Sequence, residues 1–158
     1  MLQVRLPVAV GEKPVTERDR IVARRESKLE GRVLLVDDEE PVLDFEREVL
    51  TAAGLSVVAT PSGAEAVGRL QDEEFDAVFL ASKVPGEWSS EDVYRWIERS
   101  RPSLLPKTVL VLCNVSDSGV RAFVDATKVL CLVKPFEVAD LLAAARRVLR
   151  RAKVIVHS

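Results

Sequence analysis

Histidine is nearly missing from this chain: 158 residues hold one, His157, beside the C-terminus. A Ser-His-Asp or Cys-His hydrolase needs an imidazole held firmly by the fold, and a residue on a tail does not supply one. Cysteine is almost as scarce, with Cys113 and Cys131 alone. One His and two Cys cannot complete the four-ligand shell of an ordinary zinc site. Both cysteines lie in apolar, strand-like stretches, which reads as free buried thiols in a reducing cytosol and not as a disulfide or redox pair. No apolar run approaches the ~20 residues of a membrane-spanning helix. The segment from Met1 to Val10 is apolar but lacks the basic start of a secretory signal. Excess charge is missing too: 23 Lys and Arg against 25 Asp and Glu leave −2, so the chain as a whole has no electrostatic reason to seek nucleic acid. What remains is an ordinary globular composition, 47% hydrophobic and 30% charged, long enough for one well-buried domain with an appendage. The expected location is the cytoplasm.

The chain divides near Gly31. Before it, Leu2-Gln3-Val4-Arg5-Leu6 alternates like a half-buried strand and stops at Pro7. Residues 16–30 are rich in Arg, Glu and Lys. Thr16 with Asp19 suggests a loose N-cap, and Ile21, Val22 and Leu29 give a thin apolar stripe, which predicts a solvated helical linker. From Arg32 onward strands alternate with helices. Strands are expected at 33–36, 56–59, 76–80, 108–112 and 129–133. Helices are expected from Pro41 to Gly54, from the Ser62/Glu65 capping pair to about Gln71, after Ser89 with Asp92, over 118–127 and over 138–151. Strands apolar on both faces suit a parallel sheet covered on both sides. The pattern predicts an open α/β sandwich whose ligands bind beyond the carboxyl ends of the strands, where strand order reverses. The domain boundaries are an N-terminal extension over 1–30, an α/β domain over 31–153 and a tail over 154–158.

Two features stand at such strand ends. Asp37 and Asp38 close the run Val33-Leu34-Leu35-Val36. Adjacent carboxylates repel one another and favour a divalent cation, with oxygen ligands suited to magnesium; alternatively, one of them only caps the helix that begins at Pro41. Lys134-Pro135-Phe136 follows the last strand. A lysine there reaches across to an anion or to the acid pair, and the X-Pro bond is one that tolerates the cis form; alternatively, it is a strand-end lysine in solvent.

Together these residues resemble the receiver domain of two-component response regulators, over about Gly31 to Arg151. Leu34-Leu35-Val36-Asp37-Asp38-Glu39 looks like the family's acidic pair. Asp76 to Gly86 looks like its third strand and phosphorylation loop, and Leu132-Val133-Lys134-Pro135-Phe136 like its lysine motif. The resemblance implies a (βα)5, flavodoxin-like sandwich with a five-stranded parallel sheet of order 2-1-3-4-5. It implies magnesium on the acid pair, a phosphoryl group on an aspartate ending strand three, a Ser or Thr ending strand four beside it, and the lysine in contact with it.

The chain keeps Asp37, Asp38 and Lys134 and departs elsewhere. The acceptor position falls on Ala81. The hydroxyl position falls on Leu112, or on Cys113 with a one-residue shift, and the aromatic switch position on Cys131. Alanine is no nucleophile, so no aspartyl phosphate forms there. Leucine donates no hydrogen bond, and magnesium loses an anionic ligand, so Asp37 and Asp38 are expected to bind it weakly or not at all. The expectation is a pseudo-receiver: a non-enzymatic module with no required cofactor, in which Lys134 pairs with Asp37 or Asp38. The alternative is an active phosphorelay receiver whose acceptor was removed from position 81 by engineering or is replaced by Ser82, although Ser82 is expected to face away. A small α/β enzyme is a third class, disfavoured because no nucleophile and base are assembled.

Partners are expected to be proteins, a histidine kinase or a downstream signalling protein, met through the face of the fourth helix, fifth strand and fifth helix; a homodimer is a further option. Arg146, Arg147, Arg150, Arg151 and Lys153 read as a solvated basic face, and no contact with nucleic acid or membrane is expected. Leu2 to Pro7 resembles the final strand of a histidine-kinase ATP-binding domain, which would make the chain the C-terminal receiver of a hybrid kinase; an ordinary N-terminal extension fits those few residues equally well.

Overall fold

Five short runs rich in valine, leucine and alanine become the strands of one parallel sheet, the three central ones buried on both faces and the two edge ones partly exposed. They are β1 (Arg32–Val36), β2 (Ser56–Thr60), β3 (Ala77–Ala81), β4 (Thr108–Leu112) and β5 (Leu130–Val133), in the order β2-β1-β3-β4-β5. The computed structural model describes residues 15–26, 29–113 and 117–156, with the side chains of 24–26 and 151–156 excepted. The expected strand at residues 2–6 and the tail histidine at position 157 lie outside the described residues.

Side chains alternate across the strands and divide the core into two layers. Val33, Leu35, Phe79, Val109 and Val111 face α2 (Glu40–Ala52) and α6 (Val138–Val156). Leu34, Val36, Val78, Leu80, Leu110 and Leu112 face α3 (Gly63–Asp72), α4 (Ser90–Ser100) and α5 (Ser118–Thr127). β1 pairs with β2 on one side and β3 on the other, so strand order reverses between β1 and β3 and opens a crevice at their carboxyl ends.

The local signals work as expected. Ser62 accepts a hydrogen bond from the Glu65 amide, and Ser89 with Asp92 forms a full capping box. Asp117 caps α5 through the amides of Gly119 and Val120. Gly54 ends α2 with φ 109°, and a Cβ there would stand 2.5 Å from the Leu29 carbonyl oxygen, so a side chain is excluded by both conformation and space.

Three differences from the sequence pattern have physical causes. The linker helix α1 (Glu17–Glu26) is not simply solvated: its Ala23, and Val15 just before it, are buried in the α2/α6 layer. The small Ala23 allows close approach to α2, Arg20 reaches Glu48, and the Leu29 amide bonds the Ala53 carbonyl. Of the expected stripe, Val22 and Leu29 pack against this layer, whereas Ile21 is exposed. α6 runs past Arg151 to Val156, with no Gly or Pro to stop it. Pro102–Lys107, to which the pattern assigns no element, forms a short 3-10 helix. Trp88 and Trp96 are half-buried against the second layer and Tyr94 is buried.

Candidate functional site

Asp37 leaves β1 at the crevice, held to the sheet by its amide donating to the Thr60 carbonyl. Its side chain is 3% exposed. One oxygen, Oδ1, accepts from the Glu39 amide at 3.0 Å; the other, Oδ2, lies 2.9 Å from Lys134 Nζ. Lys134 continues the β4–β5 ladder by one step, its amide donating to Leu112 O, and its bond to Pro135 is cis. Its ammonium also donates to Glu39 Oε1 at 2.7 Å. One cation therefore sits between two carboxylates, one buried and one at the rim. Asp38, the other half of the acid pair, is exposed and is not part of this contact.

Ala81 is the last residue of β3 and is buried. Its side chain is only a methyl group, and its carbonyl accepts a hydrogen bond from the Ser90 hydroxyl. Of the two candidates for the hydroxyl position, the structure brings in Cys113. Leu112 is buried in the α3/α4/α5 layer, whereas Cys113 Sγ lies 3.8 Å from Lys134 Nζ. Ser82 does not turn away as expected: its Oγ accepts from the Cys113 amide at 3.2 Å and lies 3.7 Å from Cys113 Sγ. β3 has ended at Ala81, so strand alternation no longer dictates where the Ser82 side chain goes. Cys131 is half-buried with its sulfur near the Val129 carbonyl, and burial pushes its thiol up. Both thiols are free, as expected, but Cys113 is exposed because it lies one residue beyond the strand.

Burial pushes the Asp37 carboxyl above its ordinary value, and the Glu39 amide and Lys134 only partly offset that. Burial also opposes the Lys134 charge, but hydrogen bonds to Glu39 and Asp37 overcome it and raise the group, so the ammonium persists.

A further acid stands near this pair. Glu46, on α2, is 2% exposed, and its Oε2 has no hydrogen-bond partner. Burial first, then the negative charge of Asp37, push it up to about 8, against the pull of Lys134. Sequence reasoning passed over it, although a signal existed. Val42, Phe45, Glu46, Val49 and Leu50 occupy i, i+3, i+4, i+7 and i+8 of one helix, so a glutamate falls within the apolar stripe.

The donor set fits a resident magnesium ion poorly. Asp37 has both oxygens engaged, by Lys134 and by the Glu39 amide, Ala81 brings no oxygen from its side chain, and Lys134 already supplies the positive charge. Among the described residues no group of three His, Cys, Asp or Glu side chains is placed to hold a metal. The last residue of β3, Ala81, has no nucleophile on its side chain for an acyl or phosphoryl group to join.

Known proteins agree with this architecture. Residues 33–146 match the family profile described as the response regulator receiver domain. The chain is 32% identical over 127 residues to the phosphate regulon transcriptional regulatory protein PhoB of Rhizobium meliloti, covering 80% of this chain and 56% of that protein. It is 36% identical over 125 residues to the alginate biosynthesis transcriptional regulatory protein AlgB of Pseudomonas aeruginosa, covering 77% of this chain and 26% of that one. The chain thus spans about half or less of these relatives' length. In fold it is similar to a CheY-like receiver domain protein from Methanospirillum hungatei, with TM-score 0.70, 22% identity, and coverage of 78% of this chain and 96% of that one. With the sheet order, the strand-end acids and the lysine in place, the chain belongs to the response regulator receiver domain family of two-component signalling.

Proposed function

We propose that this receiver does not take phosphate at the end of β3 and works as a phosphorylation-independent protein-interaction module. One observation carries this reading: Ala81 places a methyl group where a carboxylate would have to attack the phosphodonor. The Lys134 contacts support it. The lysine that would meet an incoming phosphoryl group is instead bound to Asp37 and Glu39, so its charge is already balanced from within and the buried carboxylate has its cation without magnesium. The module has no catalytic step of its own and acts in the cytoplasm. Among the described residues no helix is long and apolar enough to cross a membrane.

Its partner is a protein, a histidine kinase or a downstream signalling component, received on α5, β5 and α6. The edge strand β5 leaves Val133 43% exposed. A groove of about 410 Å³ runs beside it, lined by Val133, Phe136, Ala143, Asp140 and Arg147. Apolar floor with opposite charges at the edge is the make-up of a modest protein interface, and the same face suits a homodimer. Residues 1–30 serve as the extension that joins the receiver to a preceding kinase ATP-binding domain or stands alone; the coding sequence upstream of Met1 distinguishes the two.

A second reading has one observation in its favour. The Ser82 hydroxyl lies beside Cys113, which in turn touches Lys134, so an active relay receiver would use Ser82 as acceptor. Incubating the chain with magnesium and acetyl phosphate and measuring intact mass separates the two readings. No added phosphoryl mass is expected. An acid-stable phosphate on Ser82 favours the second reading, and a stoichiometric acid-labile phosphate overturns the first.

A further inference from the structure

The two cysteines of the chain are placed differently. Cys131 is half-buried in β5, with its sulfur near the Val129 carbonyl, and burial pushes its thiol up. Cys113 lies one residue beyond β4 and is exposed. It does not stand alone. Lys134 Nζ lies 3.8 Å from its sulfur, and the Ser82 hydroxyl 3.7 Å. The Cys113 amide donates to Ser82 Oγ at 3.2 Å, which holds that hydroxyl in place and leaves its hydrogen for the sulfur. Ser82 follows β3, Cys113 follows β4 and Lys134 follows β5, three strands adjacent in the sheet. The strand order itself thus brings two donors onto one sulfur. A neutral thiol is a weak acceptor and gains little from them. Both donors become strong when the sulfur carries negative charge or an oxygen that does. Solvent reaches the same sulfur, so a small electrophile can too.

We propose that Cys113 is an oxidant-reactive modification site, its sulfur converted by a hydroperoxide to the sulfenic acid, with Lys134 and Ser82 as positioning residues. The sulfur attacks one peroxide oxygen. An S–O bond forms and the O–O bond breaks; the second oxygen leaves as hydroxide and becomes water with the thiol proton. The sulfur loses two electrons and the peroxide gains them. Lys134 stabilises the negative charge on the attacking sulfur and on the departing hydroxide, and Ser82 donates to the sulfur. The oxygen left behind stands beside an ammonium that already serves Asp37 and Glu39, so oxidation adds a third acceptor at the mouth of the crevice. The site goes beyond the phosphate question, since it needs neither an acceptor at position 81 nor magnesium.

The test treats the full chain with hydrogen peroxide in the presence of dimedone, which traps sulfenic acids, and maps the adduct by peptide mass spectrometry. The adduct is expected on Cys113 and not on Cys131. Cys113 should react about tenfold faster in the folded chain than in urea. Lys134→Met is expected to slow the folded-chain reaction by about tenfold, and Lys134→Arg to restore most of the rate, which separates charge from packing. Ser82→Ala, which leaves the Asp37–Lys134 pair in place, slows it by a smaller factor. The proposal is overturned if Cys131 takes the adduct at an equal or higher rate. It is equally overturned if folding does not accelerate Cys113, or if wild type, Lys134→Met and Ser82→Ala all react alike. A dimedone adduct and a phosphoryl group differ in mass, so failure here leaves the reading of function standing, and a phosphorylated Ser82 leaves this measurement interpretable.

Discussion

β1 and β3 run side by side, with Val36 opposite Leu80, and then end differently. β1 passes into Asp37, whose carboxylate is buried, hydrogen-bonded and paired with a lysine from the far side of β4. β3 ends in Ala81, whose side chain offers no polar atom and whose backbone alone is tied down, by Ser90. Both ends are equally well packed. The difference teaches that the sheet does not need a charged group at both of its central strand ends: the strands, their register and the crevice all stand with a carboxylate at one and a methyl group at the other. It also shows how the remaining charge is handled, since Lys134 is balanced by Glu39 as well as by Asp37.

The sharpest way to break the comparison is to take the cation from the β1 end. Lys134→Met leaves Asp37 buried without its counter-ion, and the expected loss is about 3 kcal/mol in chemical unfolding at pH 7. The sign of its pH dependence follows from Asp37, whose folded-state value is already raised. A raised acid is fully compatible with folding while protonated and weakens the fold as pH climbs towards its folded-state value. The variant's deficit is therefore expected to shrink in acid and to grow as pH rises through the carboxylate range. A deficit independent of pH would show that the lysine acts through packing alone.

Glu46 gives the next effect, of opposite sign. Its value is about 8 in the fold against 4.5 for an ordinary glutamate, so the folded state holds the proton more tightly than the unfolded one. Wild-type stability should then fall between about pH 4.5 and 8 and level off beyond. Glu46→Met removes that slope and is expected to be the more stable protein at pH 8. Equal pH profiles for the two proteins would remove Glu46 from the account.

Ala81→Asp makes the two strand ends alike. Without magnesium it crowds another carboxylate against Asp37, with an expected cost of about 2 kcal/mol; added magnesium should recover much of that in the variant and leave the wild type unmoved. Thermal melts with and without the ion read the difference. The smallest effect provides the baseline away from both strand ends. Arg20→Glu breaks the α1–α2 ion pair with Glu48, a solvated contact, and is expected to lower the melting temperature only slightly, the loss being regained on adding Glu48→Arg.

Much of this was legible in the chain because the signals are local. Thr108–Leu112 and Ser118–Thr127 carry the same bounds in sequence pattern and structure, and the Ser89/Asp92 box closes as its spacing requires. The acids and the lysine were legible as strand-end residues. What was not legible depends on partners distant in sequence. Ala23 lies outside the apolar stripe expected of its helix, and its burial follows only from the packing of the α2/α6 layer. The choice between Leu112 and Cys113 turns on which side of β4 meets Lys134. Ser82 escaped because alternation was carried one residue beyond the strand. Glu46 announced itself only as a charged residue on an apolar stripe, and its burial comes from the α2/α6 layer as a whole.

The central claim is that Ala81 leaves the receiver without an acceptor. It is tested most directly by treating the wild type and Ala81→Asp side by side with acetyl phosphate and magnesium, and weighing both intact. The account predicts an acid-labile gain of one phosphoryl group in Ala81→Asp and none in the wild type. An acid-labile phosphate on the wild type at comparable occupancy would contradict it.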